Sequence, residues 1–193
     1  MKNLMTAIVS VCLVVFVLLA FPASGEERIY TETLRLHVLA ASDSTVDQEA
    51  KLLVRDAVLE EYGEDFITLK SKEKAEAYLK EKLPEIEKTV ERTLAENDLF
   101  YTFDVALKEE WFETRTYDNI TLPRGEYTAL KITLGEGKGQ NFWCMLYPAL
   151  CITPALGEQT TAQAVYDDAA YELVTNGYAV RFRALELFST LFR

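Results

Sequence analysis

The sequence predicts an α+β fold, a small and mainly antiparallel sheet of about four strands packed with helices. Three observations carry that prediction. Four short runs alternate apolar and polar residues with period two, and longer runs repeat apolar residues at helical spacing behind serine caps. Their order, β-α-α-β-β-β-α-α, groups helices and strands instead of alternating them. An apolar N-terminal segment, a signal or anchor helix, precedes the series.

The first strand is Leu34 to Leu39, with Leu34, Leu36 and Val38 on the core side. Ser42-Asp43-Ser44 stops it. Ser44 followed by Asp47 has capping-box spacing, so a helix is expected from Thr45 to about Tyr62, ended by Gly63. Val46, Ala50, Leu53, Val54, Ala57 and Val58 share its core face, beside an acidic stripe of Glu49, Asp56 and Glu60. Leu52 and Leu59 lie off that face, either in a wide buried stripe or on a surface ridge for a partner.

Ser71 opens a second helical region, Lys72 to about Glu96. Pro84 lies inside it, and the residue before a proline avoids the helical conformation. Two helices meeting near Lys82–Leu83 are therefore expected, with Pro84 in a first turn. Asn97-Asp98 ends the region. A second strand runs from about Leu99 to Trp111, and a polar loop with Tyr117-Asp118-Asn119 leads to a turn at Arg124-Gly125. Asn119-Ile120-Thr121 has the form of a glycan acceptor, a short match that carries little weight. Strands at Tyr127–Leu134 and Phe142–Tyr147, the latter stopped by Pro148, complete an antiparallel meander. Thr161–Thr175, closed by Asn176-Gly177, and Tyr178–Phe192 are read as helices, the last one mostly apolar and docked on the sheet.

The leader sets the compartment. Met1-Lys2-Asn3 starts positive, Leu4 to Phe21 is apolar without a charge, and Ala23-Ser24-Gly25 supplies a small-residue cleavage site. Residues 1–25 read as a signal peptide or, if uncleaved, a membrane anchor over residues 4–21. Residues 26–193 read as a single α+β domain. Without residues 1–25, which hold one lysine and no acid, 19 basic and 31 acidic residues remain, a formal charge of −12. That balance argues against nucleic acid and against anionic lipid as partners, so contact with a membrane is expected only through the leader.

The run Gly135 to Cys151 holds three glycines, an amide pair, adjacent aromatics and two cysteines. Its glycines read as a hairpin turn; a phosphate loop would need a helix to follow. Cys144 and Cys151 are candidates for a disulfide in an oxidising compartment, worth about 2.5 kcal/mol by loop entropy. The rival reading is an exported cysteine-dependent hydrolase, with Cys144 as nucleophile and His37, the only histidine, as its base. With one histidine and scattered acids, neither a metal site nor a cofactor is expected.

Two blocks resemble a known family. Leu34 to Asp56 contains R-L-H-V-L-A-A-S-D-S-x-x-D-Q-x-x-K-x-x-V-R-D, and Gly125 to Cys151 reads G-E-Y-T-A-L-K-I-T-L-G-E-G-K-G-Q-N-F-W-C-M-L-Y-P-A-L-C. Both resemble stage II sporulation protein R. Ala41, Phe142 and Ala149 stand where that family more often has Asn, Trp and Pro. The resemblance implies an exported signalling protein and no enzyme. It would be secreted from the forespore into the intermembrane space, triggering a membrane-embedded aspartic protease that processes the precursor of the mother-cell sigma-E factor. A partner surface is then expected where the Ser42–Asp56 turn-helix meets Gln140–Trp143. Its contact residues would be Arg35, Asp43, Gln48, Arg55, Gln140, Asn141 and Trp143, with Trp143 as aromatic anchor.

Overall fold

A computed structural model describes residues 2–20, 26–117, 120–149 and 165–177. The chain is α+β. Helix α1 (Lys2–Ala20) covers the apolar N-terminal segment, followed by α2 (Glu26–Glu32), β1 (Leu34–Leu39), α3 (Thr45–Thr68) and α4 (Lys72–Glu96). Then come β2 (Phe103–Phe112), a small hairpin of β3 (Arg115–Tyr117) and β4 (Ile120–Leu122), β5 (Gly125–Leu134) and β6 (Asn141–Tyr147). A short helix α5 (Asp168–Glu172) leads into a π turn, Leu173–Gly177. Among the described residues no helix is long and apolar enough to cross a membrane. At 19 residues α1 is about 28 Å long, just under the hydrocarbon thickness of a typical bilayer.

The main sheet has the order β2-β5-β1-β6. β2 pairs antiparallel with β5, and β6 antiparallel with β1, while β1 and β5 run parallel. This corrects the meander: β5 and β6 are not neighbours, because β1 lies between them. The Gly135–Gln140 connection is therefore a crossing over the end of β1 and not a hairpin turn. β1 is central, so both of its faces are buried, and Arg35 and His37 sit opposite the apolar side.

One face packs on α3 and α4. There Leu34, Leu36, Val38, Leu130 and Ile132 meet Val54, Val58, Leu79, Ile86 and Val90, all within 2% of full burial. Burying a side chain of this size contributes about 1.5–3 kcal/mol. The other face carries a second core of Ile29, Phe112, Tyr127, Ala129 and Met145, closed by the β3–β4 hairpin, Tyr166 and α5. Helices thus lie on both faces.

Several boundaries move. Ser44 caps α3 by accepting from the Asp47 amide, as expected, but the helix continues through Gly63 to Thr68. Gly63 is buried within it, where packing outweighs a glycine's helix penalty of about 1 kcal/mol. α4 is one helix with Pro84 inside it. Pro84 and Lys80 are both exposed, so the carbonyl that loses its helical donor to the proline lies on the solvent side of the helix. Val46 and Leu53, expected in the core, are 56% and 39% exposed, and Leu52 is 37% exposed. Leu59 packs against the core. Instead of one helix through Thr175, α5 begins after Asp167, whose side chain caps it through the Ala170 amide. The readings at Asp118-Asn119, Cys151, residues 161–164 and Tyr178–Phe192 lie outside the described residues.

Candidate functional site

One end of the sheet gathers the residues of interest. The chain leaves β1 through Ala40–Ser44, enters α3, and is met there by Gly135–Gln140 crossing from β5 to β6. Main-chain bonds lock the two segments together: the Lys138 amide donates to Ala41 O at 3.2 Å, and the Gly139 amide to Ala40 O at 2.9 Å. Gly137 turns the loop with φ of +62°, a conformation that favours glycine. The Gln140 amide donates to Asp43 Oδ1 at 2.7 Å. Gln48 Nε2 donates to Ser42 O at 2.8 Å.

Lys51, absent from the expected contacts, ties this end together. It is 6% exposed, and its Nζ donates to Gln48 Oε1 at 2.6 Å and to Gln140 O at 3.1 Å. Burial, then the nearby Arg55 charge, lower its pKa. Its place three residues after Gln48 on a helix was the available clue. Arg55 stacks 4.6 Å from the Phe142 ring centre and donates to Asp56. Asp47 takes hydrogen bonds from the Ser42 and Tyr101 hydroxyls, which hold its carboxyl below the ordinary aspartate range.

Asp43, Gln48, Arg55 and Gln140 therefore belong to one surface, with Leu52, four residues after Gln48 on α3, exposed beside them. Asn141 does not join it: two residues before Trp143 on β6, its side chain lies on the opposite sheet face, where Oδ1 meets His37. Arg35 and Trp143 do not join it, because strand alternation puts them on the opposite sheet face. Trp143 stacks on His37 at 4.2 Å between ring centres, meets Phe112 edge-on, and lies 5.4 Å from the Arg115 guanidinium. Arg35 is fully buried and has no surface to offer a partner.

His37 is held on both ring nitrogens, Nδ1 against the Glu110 carboxylate and Nε2 at 3.0 Å from Asn141 Oδ1. Lys131 Nζ donates to the other Glu110 oxygen at 2.7 Å. Burial works to raise the Glu110 pKa, but hydrogen bonds from His37 and Lys131 outweigh it and the carboxyl is held below its ordinary value. No local pattern in the sequence pairs strands so far apart, so this network was not legible beforehand.

The hydrolase reading fails on geometry. Cys144 lies opposite Leu36 and His37 opposite Trp143, which sets their side chains on different sheet faces. Cys144 is disulfide-bonded and has no thiol to ionise, whereas Cys12 in α1 is free. Among the described residues no group of three or more His, Cys, Asp or Glu side chains is placed to hold a metal ion.

Comparison with known proteins gives a consistent picture. The family profile described as Stage II sporulation protein R (spore_II_R) matches residues 30–156. Stage II sporulation protein R of Bacillus subtilis (strain 168) is 35% identical over 156 residues, covering 74% of this chain and 70% of that protein. No solved structure matches. The matched region runs from just before β1 past β6 and so contains the whole sheet and the surface described above. On these grounds the chain belongs to the stage II sporulation protein R family.

Proposed function

We propose that this protein is an exported sporulation signal that triggers a membrane-embedded aspartic protease, which then processes the precursor of the mother-cell sigma-E factor. Family membership supports the sporulation role. The leader supports export from the forespore into the intermembrane space, either as a cleaved signal or with residues 4–21 as an anchor. The observation that carries a signalling mechanism is the meeting of the two resembling blocks in one rigid surface. Gln140 is bonded to Asp43 and Lys51, and Arg55 is stacked on Phe142.

Rigidity matters because a ligand shifts its partner's equilibrium only through differential affinity for the two states. A surface fixed by main-chain bonds, a buried lysine and a cation–π stack loses little freedom on docking. Its exposed Leu52 supplies apolar area, with Asp43, Gln48 and Arg55 as polar contacts. The test replaces Gln48 and Arg55 with alanine, singly and together, in sporulating cells. Export and folding at wild-type levels with sigma-E precursor left unprocessed is the expected result. Exported, folded variants that still trigger processing rule this surface out.

A further inference from the structure

The same end of the sheet carries a second feature that the two blocks do not contain. Between the C-terminal end of α4 and the start of β2 lies a groove of about 410 Å³ floored by Leu94, Leu99 and Phe103, with Phe100, Tyr101 and Glu91 at its sides. Phe100 is 90% exposed. Tyr101 connects the groove to the docking surface by donating to Asp47, and the Gly135 amide does so from the crossing loop by donating to Thr102 O at 2.7 Å.

Three local costs coincide here. α4 closes in a Schellman motif, with Leu99 N bonded to Leu94 O at 2.9 Å and Asp98 N to Ala95 O at 3.2 Å. The motif's left-handed position usually takes glycine, yet Asp98 occupies it at φ +55°. The last turn of α4 holds no basic residue. Instead Glu96 and Asp98, both exposed, sit at the negative pole of the helix dipole, with Glu91 one turn back. Finally, Phe100 leaves its ring in water. None of the three helps the fold, and such uncompensated features cluster where a partner docks.

We infer that this groove receives a basic, apolar-tipped segment of a partner polypeptide, its apolar side chain against Phe100 and Leu99 and its cation against Glu91. The occupant's charge follows from Glu91 in the lining and from the exposed Glu96 and Asp98 at the adjoining helix end, which together attract a cation and repel an acidic chain or an anionic membrane. This deepens the signalling proposal by giving the chemistry of the partner's contact, and it rests on that proposal only for the partner's identity.

The test uses the full chain in zwitterionic-lipid nanodiscs, with empty nanodiscs as blank. Two labelled synthetic helical peptides serve as probes, identical in their leucines and differing in lysine against glutamate at every polar position. The lysine peptide should bind, and more weakly as salt rises, while the glutamate peptide should not. Phe100→Ala and Glu91→Lys should each weaken binding about tenfold, whereas the Glu136→Ala variant, on the neighbouring loop, should bind as wild type. Phe100 is so exposed that its loss leaves the fold intact, and circular dichroism checks this. Equal binding to wild type and Phe100→Ala would show charge attraction without a groove and overturn the inference. So would binding of both peptides. Sigma-E precursor processing by Phe100→Ala is read separately: intact processing with lost peptide binding leaves the groove standing and removes it from the signal.

Discussion

A methyl group on the Gly139 α-carbon would lie 2.1 Å from the Ser42 carbonyl oxygen, so the loop crossing β1 and the turn leaving β1 touch backbone to backbone. Only a residue without a β-carbon permits that approach, and it brings the Gln140 amide to Asp43. Gly139 in this run is thus explained by the steric demand of the contact between the two segments and not by phosphate binding.

Gly139→Ala should therefore separate the two segments. Relief of the clash costs about 1–3 kcal/mol, the usual range for overpacking, and for a chain of this size each kcal/mol lowers Tm by about 2–4 °C. Glu136→Ala on the same loop should be neutral, its side chain being 75% exposed. Thermal unfolding of the two variants followed by circular dichroism makes the comparison, and equal Tm values would remove the steric account.

Cys144 is disulfide-bonded, and of the three cysteines in the chain Cys12 is free. We predict Cys151 as its partner. Intact-mass spectrometry of the exported protein should show a species two hydrogens lighter than after reduction, and peptide mapping should place the bond at these positions. Cys144→Ser should cost about 2–4 kcal/mol of stability, and it should spare signalling wherever the variant still folds. Loss of signalling in a folded Cys144→Ser variant would restore the thiol chemistry rejected above.

Acid should weaken the His37–Glu110–Lys131 network. The Glu110 carboxyl is held below its ordinary value in the fold, so its contribution is fully present above the unfolded glutamate value of about 4.3 and is lost as pH falls through the folded value. Urea unfolding at pH 7 and again below pH 4 should show a larger loss for wild type than for Glu110→Gln. An identical loss in both would mean that Glu110 carries none of the acid sensitivity.

Pro84 offers a gain. It lies exposed inside α4 and denies the Lys80 carbonyl its helical donor. Pro84→Ala restores that bond and should raise stability by about 1–3 kcal/mol, within the proline penalty measured in helices, seen as a higher urea midpoint. No change would mean that neighbouring packing depends on the proline's local distortion.

What was legible beforehand divides along the range of the forces involved. Serine caps at Ser44 and Ser71, and period-two runs at β1, β2, β5 and β6, act within a few residues and appear as expected. Gly63 and Pro84 misled because α3 and α4 pack on the sheet over their full length, and burial outweighs a local breaker. Strand order was not legible: β1 enters between β5 and β6 through side chains more than a hundred residues apart, such as His37 and Asn141. The proposed surface was half visible, since its backbone contacts followed the two blocks while Arg35, Asn141 and Trp143 fell on the other face by strand alternation alone.

That other face contains the least expected residue of the chain. Arg35 is wholly buried with its guanidinium 4.0 Å from the Phe112 ring centre, 5.0 Å from Tyr127 and 5.7 Å from Tyr117. Nη2 donates to the Tyr117 hydroxyl, while Nε and Nη1 have no hydrogen-bond partner. Among the described residues no carboxylate pairs with it, and burial draws its pKa below the ordinary arginine value against the pull of the neighbouring tyrosines. A cation–π stack contributes about 2 kcal/mol when desolvated, less than the cost of burying an unpaired charge. Arg35→Met, which keeps the volume and drops the charge, should therefore be neutral or stabilising by about 1–4 kcal/mol. Arg35→Ala should lose about 2–4 kcal/mol, because it opens a cavity under Phe112. Urea unfolding of both variants decides the matter: if Met destabilises as much as Ala, the aromatic cage outweighs desolvation and the charge itself holds the second core together.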